Sequence, residues 1–266
     1  MSMKTENIID INNQKGQIYN IDCIIGMREI QTESIDMIFC DLPYGVTARN
    51  KWDSVIDPEL LWEQYERIIK PNGVILLFGQ DKFTAKMILS NEKLHRYNII
   101  WKKTTPTGFL NANRMPLRAH EDIMVFYKSL PTYNPQKSTG HTPVHSYTKH
   151  SSDGTNYGET KQGISGGGST ERYPTSVWEF STDKQKSALH PTQKPLELCR
   201  YAIRTYTNPS DIVLDNCCGS GTIPLAAKLE GRNYIGMDNG YCEREGSHCF
   251  GLSWAEISKK RVENDI

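Results

Sequence analysis

Ser34-Ile35-Asp36-Met37-Ile38-Phe39-Cys40 is a mostly apolar run that stops at Asp41-Leu42-Pro43-Tyr44-Gly45. A run of this kind, ended by an acid, a proline, an aromatic ring and a glycine, predicts a strand buried in a parallel sheet. Ligands of open α/β sheets bind beyond the carboxyl ends of such strands. Asp41 would stand at the strand tip, where its carboxylate can accept hydrogen bonds from an amino group. Pro43 carries no amide hydrogen, which leaves the Leu42 carbonyl as a second acceptor. Tyr44 adds a flat face suited to stacking on a planar ring, and Gly45 lets the backbone approach closely. This set suits an exocyclic amine on a flat heterocycle, the description of a nucleobase. An ordinary strand-to-loop turn with a capping acid fits the same four residues.

The flanking sequence repeats the alternation of strand and helix. Gln17 to Cys23 reads as a short strand with Asp22 at its end, and Ile24 to Ile30 as a helix. Asp57-Pro58-Glu59 opens a helix, with an acid cap and proline at the first position; Pro71-Asn72-Gly73 is expected to stop it near Lys70. Val74 to Gly79 reads as a strand, Lys82 to Asn91 as a helix, and Tyr97 to Lys102 and Asp122 to Lys128 as strands joined by a loop of about twenty residues. This is half of a doubly wound sheet.

From Ser129 to Leu189 the chain turns rich in Ser, Thr, Gly, Tyr, His and Lys and shows little periodicity. Such a stretch is either a flexible insertion or a recognition element. Lys137, His141, His145, Tyr147, Lys149, His150, Tyr157, Arg172 and Tyr173 intersperse hydrogen-bonding cations with aromatics, as the second reading requires. Regular structure resumes with a helix from Pro195 to Thr207 and a strand from Asp211 to Asp215. Asn216-Cys217-Cys218-Gly219-Ser220-Gly221-Thr222 then turns into a helix from Ile223 to Glu230. A strand from Asn233 to Asp238 and a helix from Trp254 to Glu263 follow. A strand, a glycine-rich turn, a helix and a second strand tipped by an acid form a nucleoside-binding unit. The turn lacks the third glycine of a dinucleotide fingerprint and is no P-loop, so a cofactor without pyrophosphate fits it better.

Lysines plus arginines number 31 and so do the acids, so no global basic field advertises nucleic acid, although a basic cleft can hide inside a neutral total. The first residues hold no apolar signal core, and no apolar run approaches the roughly 20 residues that span a bilayer. A soluble, cytoplasmic protein without membrane contact is expected. The seven cysteines, Cys23, Cys40, Cys199, Cys217, Cys218, Cys242 and Cys249, form no paired framework and read as reduced thiols. Cys242 and Cys249 near His248 have the wrong spacing for a zinc finger, and no metal site is assigned.

Taken together, these motifs resemble those of the S-adenosylmethionine-dependent amino-methyltransferases of DNA, in their permuted β group. Asp41-Leu42-Pro43-Tyr44 matches the family's early Asp-Pro-Pro-Tyr motif. Residues 129–189 sit where its target-recognition region belongs. His190-Pro191-Thr192-Gln193-Lys194-Pro195 and Asp215 to Thr222 match its late cofactor motifs. The resemblance covers nearly the whole chain after residue 17. It implies a circularly permuted, doubly wound, mostly parallel Rossmann-like sheet. Residues 17–128 would be the catalytic half, 129–189 the inserted recognition region, and 190–266 the cofactor half of the same domain.

It also implies roles. Asp41, Leu42, Pro43 and Tyr44 would form the catalytic site. Asp22, Cys23, Asp41, Lys194, Asp215, Cys217, Gly219, Ser220, Gly221, Thr222 and Asp238 would line S-adenosylmethionine. Within that set Asp22 would take the adenine amino group and Asp238 the ribose hydroxyls. Lys194 and the helix start at Thr222 would lie near the methionine carboxylate. Two departures stand out: Leu42 replaces the usual first proline, which would loosen the turn, and Asn216-Cys217 replaces a frequent Pro-Phe. The partner implied is double-stranded DNA with the target base flipped out, and dimers are common in the group. Asp at the first motif position leans to adenine N6 over cytosine N4. RNA or protein methylation and an inactive DNA-binding homologue are the more distant alternatives. Cytosine-C5 chemistry is rejected because no cysteine follows a proline.

Overall fold

The computed structural model describes residues 16–45, 55–148, 165–182, 193–243, 247 and 249–264. The chain forms two compact units: residues 1–134 together with 176–266, and residues 135–175. The larger unit is an eight-stranded sheet. Its strands in chain order are β1 (Gln17–Tyr19), β2 (Ile35–Cys40), β3 (Ile69–Gly79), β4 (His95–Thr107), β5 (Arg118–Phe126), β8 (Val177–Phe180), β9 (Ile212–Asp215) and β10 (Asn233–Met237). Their order across the sheet is β1-β10-β9-β2-β3-β5-β4-β8. Only β5 runs against the rest, antiparallel to β3 and β4, so the sheet is mostly parallel as its apolar runs require.

Six helices accompany the two units' strands among the described residues: α1 (Cys23–Arg28), α2 (Pro58–Ile68), α3 (Asp81–Ser90), α4 (Leu196–Tyr206), α5 (Thr222–Leu229) and α6 (Trp254–Asn264). Successive strand residues point to opposite faces. Ile38 and Cys40 of β2 join Ile75, Leu77 and Met124 under Leu61, Tyr65 and Ile68 of α2. Met37 and Phe39 join Leu76, Phe78 and Val125 under Leu198, Ala202 and Ile203 of α4 and Ala226 of α5. Both faces of β2 are therefore covered, which is why the strand reads as a continuous apolar run. Its one acid is held at the other end of the strand: Asp36 pairs with Lys70 at 2.6 Å and accepts from the Ile212 amide at 2.9 Å.

The helix starts follow local chemistry. Asp57 caps α2 by accepting from the Glu59 amide, with Pro58 in the first turn. Three expectations need correction. Pro71-Asn72-Gly73 does not separate α2 from a later strand: β3 begins at Ile69, and the register jumps from Ile35 opposite Ile69 to Met37 opposite Val74. The triplet is thus a bulge at the strand's start, exposed at Pro71 and Asn72 and buried at Gly73. The joint between β4 and β5 is shorter than expected, because β4 runs to Thr107 and β5 starts at Arg118, with a single 3₁₀ turn, Phe109–Asn111, between them. Finally, β8 arises inside the low-periodicity stretch. It pairs with β4 through Trp178, whose ring is buried against that face of the sheet.

The smaller unit holds β6 (Tyr147–Thr148) and β7 (Ser165–Gly166), paired antiparallel, and a bridge between Ser138 and Arg172. Lys137 is ion-paired to Glu171 at 2.9 Å and lies over the Tyr173 ring, while Arg172 donates to the Ser169 and Thr142 carbonyls. Both cations are engaged within their own unit. Lys149, His150 and Tyr157 lie outside the described residues, as do His190, Pro191, Thr192 and His248. Cys242 and Cys249 are buried with Trp254 and Ile257, and no metal-holding cluster occurs among the described residues.

Candidate active site

The sheet order changes direction between β9 and β2: β10 and β1 lie on one side, β3 and the rest on the other. The carboxyl ends of these two central strands carry Asp215 and Asp41, so the crevice of an open α/β sheet opens between the two predicted motifs.

On the β2 side the turn is anchored by packing. Leu42 is 4% exposed and belongs to the apolar layer under α2. At the position where the family has its first proline, a buried leucine side chain thus packs the turn against that layer. Gly45 sits at φ +68°, a left-handed conformation that favours glycine. Tyr44 packs on Phe83, ring centroids 4.6 Å apart, and its hydroxyl donates to Asp41 Oδ1 at 2.8 Å. Asp41 keeps 25% side-chain exposure, enough for a substrate to reach it.

The other oxygen of Asp41 reveals a network that the motifs did not predict. Lys194 Nζ lies 2.7 Å from Asp41 Oδ2 and 3.2 Å from Glu121 Oε2, and Lys103 Nζ lies 2.6 Å from Glu121 Oε1. Lys103, Glu121 and Lys194 are each nearly buried. Two cations and two anions alternate in one chain from β4 through β5 to the tip of β2. Burial alone would lower the Lys194 pKa, but the Asp41 and Glu121 carboxylates outweigh it and hold the amine protonated. Burial would raise Glu121, yet Lys194 and Lys103 bring it below its ordinary value. Asp41 moves the other way: burial pushes it up and Lys194 only partly opposes the shift. Lys194, expected beside the cofactor carboxylate, stands in this structure beside Asp41. Its ammonium also lies 4.9 Å from the Phe78 ring centroid. His120 is exposed while its neighbour Glu121 enters the site. Gln193, beside Lys194, is 8% exposed with neither amide atom partnered among the described residues.

On the β9 side, Asp215 is 3% exposed and accepts from the Cys217 amide at 3.3 Å. Burial pushes its pKa up to about 8. Asp238, after β10, accepts from the Gly219 amide through Oδ2 and the Gly240 amide through Oδ1, both at 2.8 Å, and burial raises it as well. A Cβ built on Gly219 meets nothing within 4 Å, so open space lies over the turn. Gly221, at φ +79°, has the opposite role: a Cβ there would come 2.1 Å from Ser258 Oγ of α6. The hydroxyls of Ser220 and Thr222 are turned to Arg261 of α6, which donates to them at 3.3 and 2.8 Å.

Asp22 caps α1, its Oδ1 accepting from the Ile24 and Ile25 amides, while Oδ2 has no partner among the described residues. The Cys23 thiol interacts with Cys217, and Cys217 with Cys40, which links α1, the β9 turn and β2. Burial pushes Cys40 up to about 12 and raises Cys218 too, so these thiols remain protonated and are poor nucleophiles. Tyr65 braces the turn by donating to Asn216 Oδ1 at 2.6 Å.

A doubly wound sheet with an acid-tipped glycine turn on one central strand and Asp-Leu-Pro-Tyr on the other is the framework of a Rossmann-like methyltransferase. The DNA methylase family of N6 and N4 amino-methyltransferases matches residues 35–244, and the chain belongs to it. M.HinfI of Haemophilus influenzae, a Type II methyltransferase, is 29% identical over 269 residues, spanning 89% of this chain and 67% of the relative. The structure of the M1.HpyAVI–SAM complex shares the fold at TM-score 0.59 and 22% identity, covering 92% of this chain and 98% of that one. The cytosine-N4-specific PvuII DNA methyltransferase shares it at TM-score 0.63 and 14% identity, covering 95% and 94%.

S-adenosylmethionine is the methyl donor of the family and hence the cofactor of this chain. The residues present fit it. Asp215 is a buried acid whose ionised form calls for a nearby cation, the turn at Gly219 is open, and Asp22 Oδ2 is free to accept.

Proposed function

We propose that the chain methylates the exocyclic N6 of adenine at a specific site in double-stranded DNA, as the modification enzyme of a restriction system. The observation that carries this reading is Asp41, held at the carboxyl end of β2 by Tyr44 and Lys194, one strand away from the turn at Asp215. An aromatic amine is a poor nucleophile because its lone pair is delocalised into the ring. Accepting its two hydrogens at the Asp41 carboxylate and the Leu42 carbonyl favours a pyramidal nitrogen and aims the lone pair outward. The protein contributes position and electrostatics. S-adenosylmethionine supplies a methyl group on positively charged sulfur. The burial that raises the Asp41 pKa makes it a better acceptor for the proton that the amine loses.

In this reading residues 17–128 and 190–266 are the catalytic and cofactor halves, and 129–189 the recognition region. Asp22 would take the cofactor's adenine amine and Asp238 its ribose hydroxyls. The target base cannot react inside a duplex and would be flipped out against Tyr44. No helix among the described residues is long and apolar enough to cross a membrane.

The test is to incubate the protein with unmethylated plasmid DNA and methyl-labelled S-adenosylmethionine, digest to nucleosides and identify the labelled one by mass. N6-methyladenine is expected. N4-methylcytosine would overturn the base assignment while keeping the Asp41 chemistry. Absence of label in DNA would overturn the DNA reading.

A further inference from the structure

The joint between β4 and β5 carries several exposed apolar side chains close together. Residues 108–116 are all exposed, and their tip carries Phe109 at 66%, Leu110 at 101% and Met115 at 49% relative exposure. Large apolar side chains held in water on a hairpin tip call for an occupant. β4 runs in the same direction as β2 and β3, so its carboxyl end, and the tip beyond it, project from the sheet edge that carries Asp41. The strand is tied to the site directly, since Lys103 of β4 meets Glu121, and Glu121 meets Lys194 beside Asp41. Thr107 lies four residue steps beyond Lys103 along β4, so the tip stands roughly 13 Å or more beyond the ion-pair network at about 3.3 Å per residue.

The charge around the tip identifies the occupant. No acid occurs from His95 to Arg118, and the cations next to the tip are Arg114 and Arg118; Lys102 and Lys103, further back on β4, are ion-paired to Glu179 and Glu121. Arg114 is exposed with no side-chain partner among the described residues, and Arg118 reaches only Gln80 and, at 3.8 Å, Asp81. Apolar side chains beside an arginine with no acidic partner among the described residues, Arg114, and a second only loosely paired, Arg118, match a surface with a charged rim and a stacked apolar interior, which is the nucleic-acid duplex.

We propose that the 108–116 tip is a wedge that enters the DNA stack through Phe109 and Leu110 and fills the space vacated by the flipped base, with Arg114 holding a flanking phosphate. The wedge rests on the reading of the chain as a methyltransferase acting on duplex DNA. It adds how the cost of extrusion is met: side chains held in water before binding are buried as the base leaves the stack.

The test begins with the full-length wild-type protein, whose methylation of plasmid DNA locates the target sequence. Wild type that labels no DNA would overturn the parent reading and the wedge with it. Duplex oligonucleotides carrying the mapped site are then made in two forms, with the target base paired normally or facing an abasic position. On the paired duplex, F109S/L110S should lose on the order of tenfold or more in kcat/KM, whereas on the abasic duplex, where extrusion is already cheap, the loss should shrink to about threefold or less. Cofactor affinity, measured by calorimetry, should stay unchanged, and Leu110→Met, which keeps an apolar wedge, should retain activity. Arg114→Gln should flatten the dependence of DNA affinity on salt by about one counterion. An equal loss on both duplexes, or no loss on either, would overturn the wedge with the parent reading intact. So would sedimentation showing that F109S/L110S splits a dimer, since the tip would then be an interface between copies.

Discussion

Asp41 and Lys194 act as one electrostatic unit. Burial raises the Asp41 pKa and the Lys194 ammonium opposes that rise. In the proposed reaction methyl transfer needs Asp41 ionised, so activity should fall as pH drops through its pKa. Lys194→Gln removes the opposing charge, and the acid limb of the kcat–pH profile should move to higher pH; a limb that stays in place would show that Lys194 does not set the charge of Asp41.

Asp215 supplies a second pH dependence. Its carboxyl titrates at about 8 in the folded chain, against an ordinary value of 3.8. Between those values the folded protein holds a proton that the unfolded chain has lost, so this group favours folding at acid pH and its contribution fades as pH rises from about 4 to about 8. A cationic cofactor favours the ionised form. Binding below about pH 8 should therefore release a proton, and affinity should strengthen toward that pH. Calorimetry in buffers of different ionisation enthalpy would measure the release, and Asp215→Asn should abolish it.

The β9 turn and α5 depend on a close contact with α6 through Gly221. Gly221→Ala combines a left-handed φ of +79° with a Cβ 2.1 Å from Ser258 Oγ. We expect a loss of about 2–4 kcal/mol in urea unfolding, from conformation and overpacking together. Gly221→Ala/Ser258→Gly should recover part of it, because the contacts to the Ser258 Oγ and Cβ are removed while the one to its Cα, at 3.1 Å, and the backbone cost remain. No recovery would place the cost wholly in the backbone.

These elements also show what the sequence could and could not reveal. The strand at Ile35 and the turns at Asp41 and Gly219 were legible because burial on both faces and abrupt termination leave a local pattern. The partners of Lys194 were not. Glu121 and Lys103 meet through the antiparallel register of β4 and β5, where Lys102 opposes His120 and Trp101 opposes Glu121. That long-range pairing leaves no spacing signal. β8 escaped because four residues are too few to show a period, and Pro71-Asn72-Gly73 misled because a bulge and a helix stop use the same residues.

The two units divide the chemistry in a way that neutral overall charge conceals. The acid-free stretch from His95 to Arg118 lies in the larger unit, and its tip, with the exposed Arg114, lies beyond the carboxyl end of β4, whereas Lys137 and Arg172 of the smaller unit are engaged in contacts within it. In the proposed reaction group transfer falls in the larger unit, with Asp41 orienting the amine and the β9 turn holding the cofactor apart from it. That separation is open to direct measurement: single-turnover methyl transfer by Asp41→Ala on unmethylated DNA, alongside its affinity for S-adenosylmethionine. Transfer should fall by about a thousandfold or more, while cofactor affinity stays within about threefold of wild type. Retained transfer, or loss of cofactor binding in step with activity, would contradict the role assigned to Asp41.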